Sequence, residues 1–309
     1  MRVPDVILKS VMFLGQEIGT DVHYGATAFL LPLERTRRPG RFFSAIATAA
    51  HTAKEIDGVP FRVRVNVMGG GFREVILDGT QWVYHPDPKV DCAVYPCMLP
   101  RDVDVLPMAL GYSEPDGRMR MDGNMVLTVA LRERLGIGVG DDVTIVGLFT
   151  KHYGKKENTP LIRTGALTML PDEPINIGRG RELWAHLIEG RSIGGISGSP
   201  VFVQQTLELP DQMPEGGTPD GLPIKPRVGG PFYFLGLMHG HWNIDPARAN
   251  EPVDETIEGG VNSGIAIVVP ADKVMETLNH PRLIAIRKAF ENRDMEREGT
   301  TILDSGFPE

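Results

Sequence analysis

The chain has 309 residues, 41% of them apolar and 23% charged, which is the balance of a soluble globular protein with room for two compact domains or one large one. Its net charge of −8 argues against nucleic acid as the main partner, because phosphate binding needs a surplus of Lys and Arg. The one short basic run, Arg35-Thr36-Arg37-Arg38, reads as a solvated loop. With no repeat period, 36 glycines and 25 prolines imply many turns and short strands rather than long helices.

The two cysteines, Cys92 and Cys97, lie on one predicted strand at a spacing that sends them to opposite faces, so they do not bond each other. Two unpaired thiols suit a reducing compartment. The N-terminus opens no secretory apolar core, and no run reaches about 18 apolar residues. The expectation is a cytoplasmic protein with no membrane partner.

Residues 6–14 read as a first strand, 15–25 as a polar loop and 27–31 as a second strand, apolar throughout and so buried on both faces. After the Pro39-Gly40 turn, residues 42–47 form a third strand that runs into Thr48-Ala49-Ala50-His51. Residues 61–67 alternate apolar with basic residues, as a half-exposed strand does. Gly69-Gly70-Gly71 turns the chain into a strand over 74–77, and the rigid loop His85-Pro86-Asp87-Pro88 delivers a strand over 90–95. Strands about ten residues apart, with Gly and Pro turns between them, predict an all-β sandwich or barrel. This half spans 1–110. Residues 111–123, with Pro115 and five charges, read as an interdomain linker.

The second half, 124–270, repeats the pattern. Strands are predicted over 124–129, 142–149, 162–169, 201–203, 232–238 and 262–269, with a helical piece at 131–135 and either strand or helix at 183–188. Gly240 is read as breaking the strand over 232–238. Gly136 to Val143 resembles a small DNA-binding module, but the acidic chain favours an ordinary turn. Residues 207–231 hold six prolines and five glycines and read as a long surface loop. Val274, Leu278, Leu283, Ile286 and Phe290 have helical spacing, so 271–309 is expected to be a C-terminal helix over 271–292 and a frayed tail.

Three residues form a candidate catalytic group. Ser197 lies in Gly195-Ile196-Ser197-Gly198-Ser199-Pro200, where glycines let the backbone turn sharply and approach a ligand. A serine so placed is a nucleophile only if a base takes its proton. His51, at a strand end beside small residues, is the candidate base. Asp91, at the start of an apolar strand, would fix the imidazole tautomer and stabilise its protonated form. The order His, Asp, Ser is that of chymotrypsin rather than of subtilisin or the α/β hydrolases.

Here the chain resembles the trypsin-like (chymotrypsin-fold) serine peptidases. The matching pieces are Gly25 to Leu30, Thr48 to His51, Asp91 to Val94, Gly195 to Pro200 and Asn262 to Ala271, and the resemblance covers about residues 6–275. It implies an all-β fold of two six-stranded antiparallel β-barrels of chymotrypsin type with a C-terminal helix. It implies His51 as general base and then acid, Asp91 as its orienting group, Ser197 as nucleophile, and the N–H groups of Gly195 and Ser197 as the oxyanion hole. Many family members carry Asp just before the serine, and those made as zymogens pair it with a new N-terminus. Ile196 stands there in this chain, so control is expected from a partner, a loop rearrangement or substrate availability.

The resemblance also places Arg191, six positions before the nucleophile, in the primary specificity pocket, where it would favour an acidic substrate residue, with Ser192 and His239 adding hydrogen bonds. The alternative is that loop lengths differ and Arg191 faces water. His239 and His241 share a strand face, but no third ligand is near them in sequence, so no metal is expected. No cofactor is expected. The function so read is a serine endopeptidase acting on protein or peptide substrates. The alternatives are an inactive scaffold that binds peptides or a regulatory protein, and an esterase using the same residues.

Overall fold

The structure is a computed structural model that describes residues 2–34, 42–106, 108, 112–113, 119–120, 125–178, 180–190, 194–208, 225–226, 230–244, 252–253, 261–286, 288–289 and 292. The first half comprises α1 (Asp5–Leu8), β1 (Val11–Ile18), β2 (Asp21–Glu34), β3 (Phe42–Thr48), α2 (Ala50–Glu55), β4 (Phe61–Asn66), β5 (Phe72–Leu77), β6 (Val83–Tyr84) and β7 (Ala93–Cys97). In the expected linker, β8 (Tyr112–Ser113) pairs with β9 (Met119–Arg120). Next come α3 (Val129–Leu135), β10 (Asp142–Gly147), β11 (Leu161–Met169), β12 (Ile175–Gly178), β13 (Arg181–Leu183), β14 (His186–Glu189) and β15 (Pro200–Gln204). The remaining elements are β16 (Leu207–Glu208), β17 (Lys225–Pro226), β18 (Tyr233–Ile244), β19 (Pro252–Val253), β20 (Val261–Pro270) and α4 (Ala271–Leu278). Among the described residues no helix is long and apolar enough to cross a membrane.

The chain is mostly β. One antiparallel sheet has the order β5-β4-β1-β2-β3-β7-β6, and the other β15-β10-β11-β14-β20-β18-β19. In the second sheet β15 also pairs with β18, which closes six strands into a barrel. The expectation of two six-stranded barrels therefore meets one closed barrel. In the first half β6 pairs along β7, and among the described residues no pairing joins β5 to β7, so this half is a seven-stranded sheet.

β2 is buried on both faces, as its apolar run predicts. Phe29 and Leu31 point into a core that includes Phe202 and Phe234 of the second half, and the Phe29 and Phe234 rings lie 5.6 Å apart. Ala28 and Leu30 point the other way, into a core built on Phe61, Trp82 and Tyr95. The two halves thus share apolar core. Cys92 and Cys97 are free and buried, and fall into different cores, as their opposite faces require.

Several local expectations change. Val6 to Leu8 are helical rather than the start of a strand: Pro4 precedes the turn, and the Ser10 hydroxyl closes it by donating to the Ile7 carbonyl at 2.8 Å. Residues 15–25 are not a loop but the β1–β2 hairpin, which turns at Gly19-Thr20, with Gly19 at φ +68°. The predicted helix over 271–292 stops at Leu278, because Pro281 restricts His280 before it, and helix resumes at 281–286.

Arg64 is the main surprise in the first sheet. Its strand alternates as predicted, yet Arg64 is only 2% exposed. The loop at 150–155 covers it, and its guanidinium donates to the carbonyls of Tyr153 at 3.1 Å and Gly154 at 2.8 Å. The same group stacks 3.8 Å from the Phe72 ring centroid and 4.9 Å from that of Tyr153. Burial is tolerable because both the charge and the donors have partners. Arg64→Met should leave both carbonyls short of a donor and cost about 2 kcal/mol. Thermal denaturation should show the loss, and limited trypsin digestion should cut faster at Lys151 and Lys155.

Candidate active site

Two strands and a turn bring His51 and Asp91 together. β3 ends at Thr48, and Ala49 is extended (φ −66°, ψ 139°), so α2 begins at once and His51 sits in its first turn. β7 runs antiparallel to β3 with Ala93 opposite Thr48, and following that register two residues further puts Asp91 across from Ala50. The loop before Asp91 is tied to the second half: Trp184 donates its N–H to the Lys89 carbonyl at 2.9 Å and its indole N–H to Asp87 at 3.0 Å.

Asp91 is 7% exposed. Its Oδ1 accepts the main-chain N–H of His51 at 2.8 Å, and its Oδ2 lies 2.7 Å from His51 Nδ1. A third donor comes from the other half: His239 Nδ1 lies 2.5 Å from the same Oδ2. Burial pushes the Asp91 carboxyl up, but the charge and hydrogen bond of His239, together with the hydrogen bond of His51, outweigh it and hold the carboxyl below the ordinary range. An ionised carboxylate only accepts, so both imidazoles present Nδ1–H to it, and in a neutral ring so committed Nε2 is the basic nitrogen.

The turn that carries Ser197 is stitched to both halves. Thr27 of β2, fully buried, donates its N–H to the Ser197 carbonyl at 3.0 Å and its hydroxyl to the Gly195 carbonyl at 2.8 Å. The same hydroxyl accepts the Leu148 N–H at 2.8 Å, and the Thr27 carbonyl accepts the Thr48 hydroxyl at 2.8 Å. On the other side, the Gly198 N–H donates to the Met238 carbonyl and the Met238 N–H to the Ser199 carbonyl, each at 2.8 Å. Gly198, at φ +83°, lies so close that a Cβ would meet Thr48 Oγ1 at 2.1 Å and the Thr27 carbonyl at 2.2 Å. Thr48 is three residues from His51, so the turn lies against the strand end that presents the histidine.

The two serines of the turn differ. Ser199 is fully buried against Gly147, and its hydroxyl has no partner among the described residues. Ser197 is only half-buried. Gly195 has φ +99°, and a Cβ there would meet Thr150 Cγ2 at 2.5 Å, so only glycine fits. Among the described residues no backbone carbonyl accepts the N–H of Gly195 or of Ser197.

Arg191 and Ser192 lie outside the described residues. His239 is described, and its place was hidden in the sequence. Gly240 does not break its strand, since β18 continues to Ile244. Met238 pairs with Val268 and Gly240 with Ile267, so His239 is the extra residue of a bulge, which re-aims its side chain. A glycine inside a strand pattern is the signal that could have found the bulge. With Nδ1–H given to Asp91, His239 can donate to a substrate carboxylate from Nε2 only as an imidazolium. The acidic neighbour absent from its local sequence is Asp91, and ligand atoms of His51, Asp91 and His239 lie within 4.8 Å of one another. Their 2.5 and 2.7 Å separations are those of hydrogen bonds, whereas two ligands on a tetrahedral zinc stand about 3.3 Å apart.

No protein-family model matches the sequence, and no curated protein does. Among solved structures, the chain is similar to a mutant of the tobacco etch virus protease, at 11% identity over 91% of this chain and 82% of that one, with a TM-score of 0.42. It is also similar to catalytically active tobacco etch virus protease complexed with product, at 13% identity over 92% and 83% of the two chains, with a TM-score of 0.43.

Thr27→Val keeps the shape but leaves the Leu148 N–H and the Gly195 carbonyl without the hydroxyl, a loss of about 2–4 kcal/mol that chemical denaturation should detect. Asp91 predicts a pH effect. Its folded carboxyl lies below the unfolded value of about 3.9, so its stabilisation is complete above that pH and is lost as pH falls toward the folded value. Asp91→Asn should flatten that part of the acid-denaturation curve below about pH 4.

Proposed function

We propose that the chain is a serine peptidase of chymotrypsin type, in which Ser197, His51 and Asp91 form the catalytic triad. The observation that carries this reading is the double grip of one buried carboxylate on His51, through both the main-chain N–H and Nδ1. A surface ion pair does not need that arrangement. It fixes the ring, commits its tautomer and keeps a negative charge behind it, which is what a general base at a hydroxyl requires. The half-exposed Ser197, on a turn packed against Thr48, supplies the hydroxyl.

In the proposed reaction Ser197 Oγ attacks the carbonyl carbon of the scissile bond while His51 Nε2 takes its proton. The imidazolium is stabilised by Asp91, and the developing oxyanion is met by the N–H groups of Gly195 and Ser197. Collapse breaks the C–N bond, and His51 gives its proton to the leaving amine. Water then attacks the acyl-enzyme with the same base, which frees the acid and restores Ser197. A preference for acidic substrate residues through Arg191, Ser192 or a charged His239 and a cytoplasmic site of action belong to the same proposal.

A cysteine nucleophile is the obvious rival, and burial disfavours it: the Cys92 and Cys97 thiols are each pushed up to about 12. A fluorophosphonate probe should label the native chain and not Ser197→Ala. Labelling should rise with pH as His51 loses its proton, and pretreatment with iodoacetamide should leave it unchanged. Equal labelling of Ser197→Ala, or loss of labelling after iodoacetamide, overturns the assignment.

A further inference from the structure

We infer that His239 is a positioning residue that locks the Asp91–His51 pair to the strand holding the Ser197 turn. Two facts about neighbouring residues carry this. Met238 exchanges main-chain hydrogen bonds with the turn, taking the Gly198 N–H and donating to the Ser199 carbonyl. His239, the next residue, reaches Asp91 Oδ2 with Nδ1. One strand therefore holds the turn with one residue and the carboxylate with the next.

Asp91 and His51 both belong to the first half of the chain, and their two mutual hydrogen bonds fix each to the other only. Neither bond sets where the pair stands relative to Ser197. His239 adds the third point: its donor comes from β18, and its ring lies edge-on to that of His51, with centroids 5.1 Å apart and planes at 77°. The bulge at Met238 and Gly240 makes this reach possible, because a residue in regular register has a ladder partner and a side chain normal to the sheet. The His239 side chain is 13% exposed and that of Asp91 8%, so water competes little for the bond. Two donors on Oδ2 and one on Oδ1 fix the plane of the carboxylate, and through it the Nδ1–H tautomer of His51.

The catalytic consequence rests on the peptidase reading; the tautomer does not. The test uses the full chain with His239→Leu, which keeps bulk and removes the donor, and His239→Asn, whose amide N–H can stand where Nδ1 stood. ¹⁵N spectra of the native imidazoles should report Nδ1–H on both His51 and His239. In His239→Leu the His51 pattern should become mixed and fluorophosphonate labelling should slow about 10- to 100-fold, while His239→Asn stays within about 3-fold of native. If a peptide substrate is found, the loss should fall on kcat rather than KM.

A native His239 protonated on Nε2 alone overturns the proposal, and so does a His239→Leu chain with native labelling and an unchanged His51 spectrum. Should His239→Leu fail to fold, the native spectrum and the His239→Asn rates still decide. A native chain that never labels, but whose His51 tautomer shifts in His239→Leu, refutes the peptidase reading and leaves the positioning role standing.

Discussion

One buried threonine holds the molecule's working parts in register. Thr27 uses every polar atom it has. Its N–H and hydroxyl hold the Ser197 turn, its hydroxyl also takes Leu148, and its carbonyl takes the Thr48 hydroxyl. It stands on β2, the strand whose two faces fill two separate cores. Each bond is worth only about 1 kcal/mol net, yet leaving such groups unpaired in a dry interior costs more, so the geometry has few alternatives. Glycines complete the constraint: the turn approaches Thr27, Thr48 and Thr150 so closely that a Cβ at Gly195 or Gly198 has nowhere to go.

The second constraint is electrostatic. A carboxylate taken out of water must be paired and hydrogen-bonded or it neutralises. Asp91 meets this with two imidazoles and one main-chain N–H, drawn from both halves of the chain. The site is thus assembled across the junction rather than within one sheet. The shared core around Phe29, Phe202 and Phe234 keeps the junction closed, and Arg64 adds a polar tether at the loop beside the turn. Motion of one half against the other would break hydrogen bonds and expose apolar surface together.

Much of this was legible in the residues. The strand run 27–31, the helical piece at 131–135, which in the structure begins earlier, at Val129 in the expected strand, the opposite faces of Cys92 and Cys97, and the approach of Asp91 to His51 all follow from local pattern or from the order of the pieces. Errors cluster where local pattern conflicts with pairing. Residues 15–25 look polar because the hairpin end projects from the core, with Arg62 bridging Glu17 and Glu74 across strands. Arg64 looked solvated because nothing in its own strand announces a covering loop ninety residues later.

Because periodicity and backbone freedom are local properties, the residues alone reveal the short apolar strands, the glycine turn around Ser197, and a histidine and an aspartate in an order that could serve it. Long-range packing is what leaves Ser197 half-buried and Ser199 fully buried, closes β15 on β18 into a barrel while the first half is an open seven-stranded sheet among the described residues, and brings His239 to the carboxylate that His51 also uses. These depend on contacts such as Thr27 to Gly195, 168 positions apart, and His239 to Asp91, 148 apart, set by strand register and a bulge, and no window of neighbouring residues contains them.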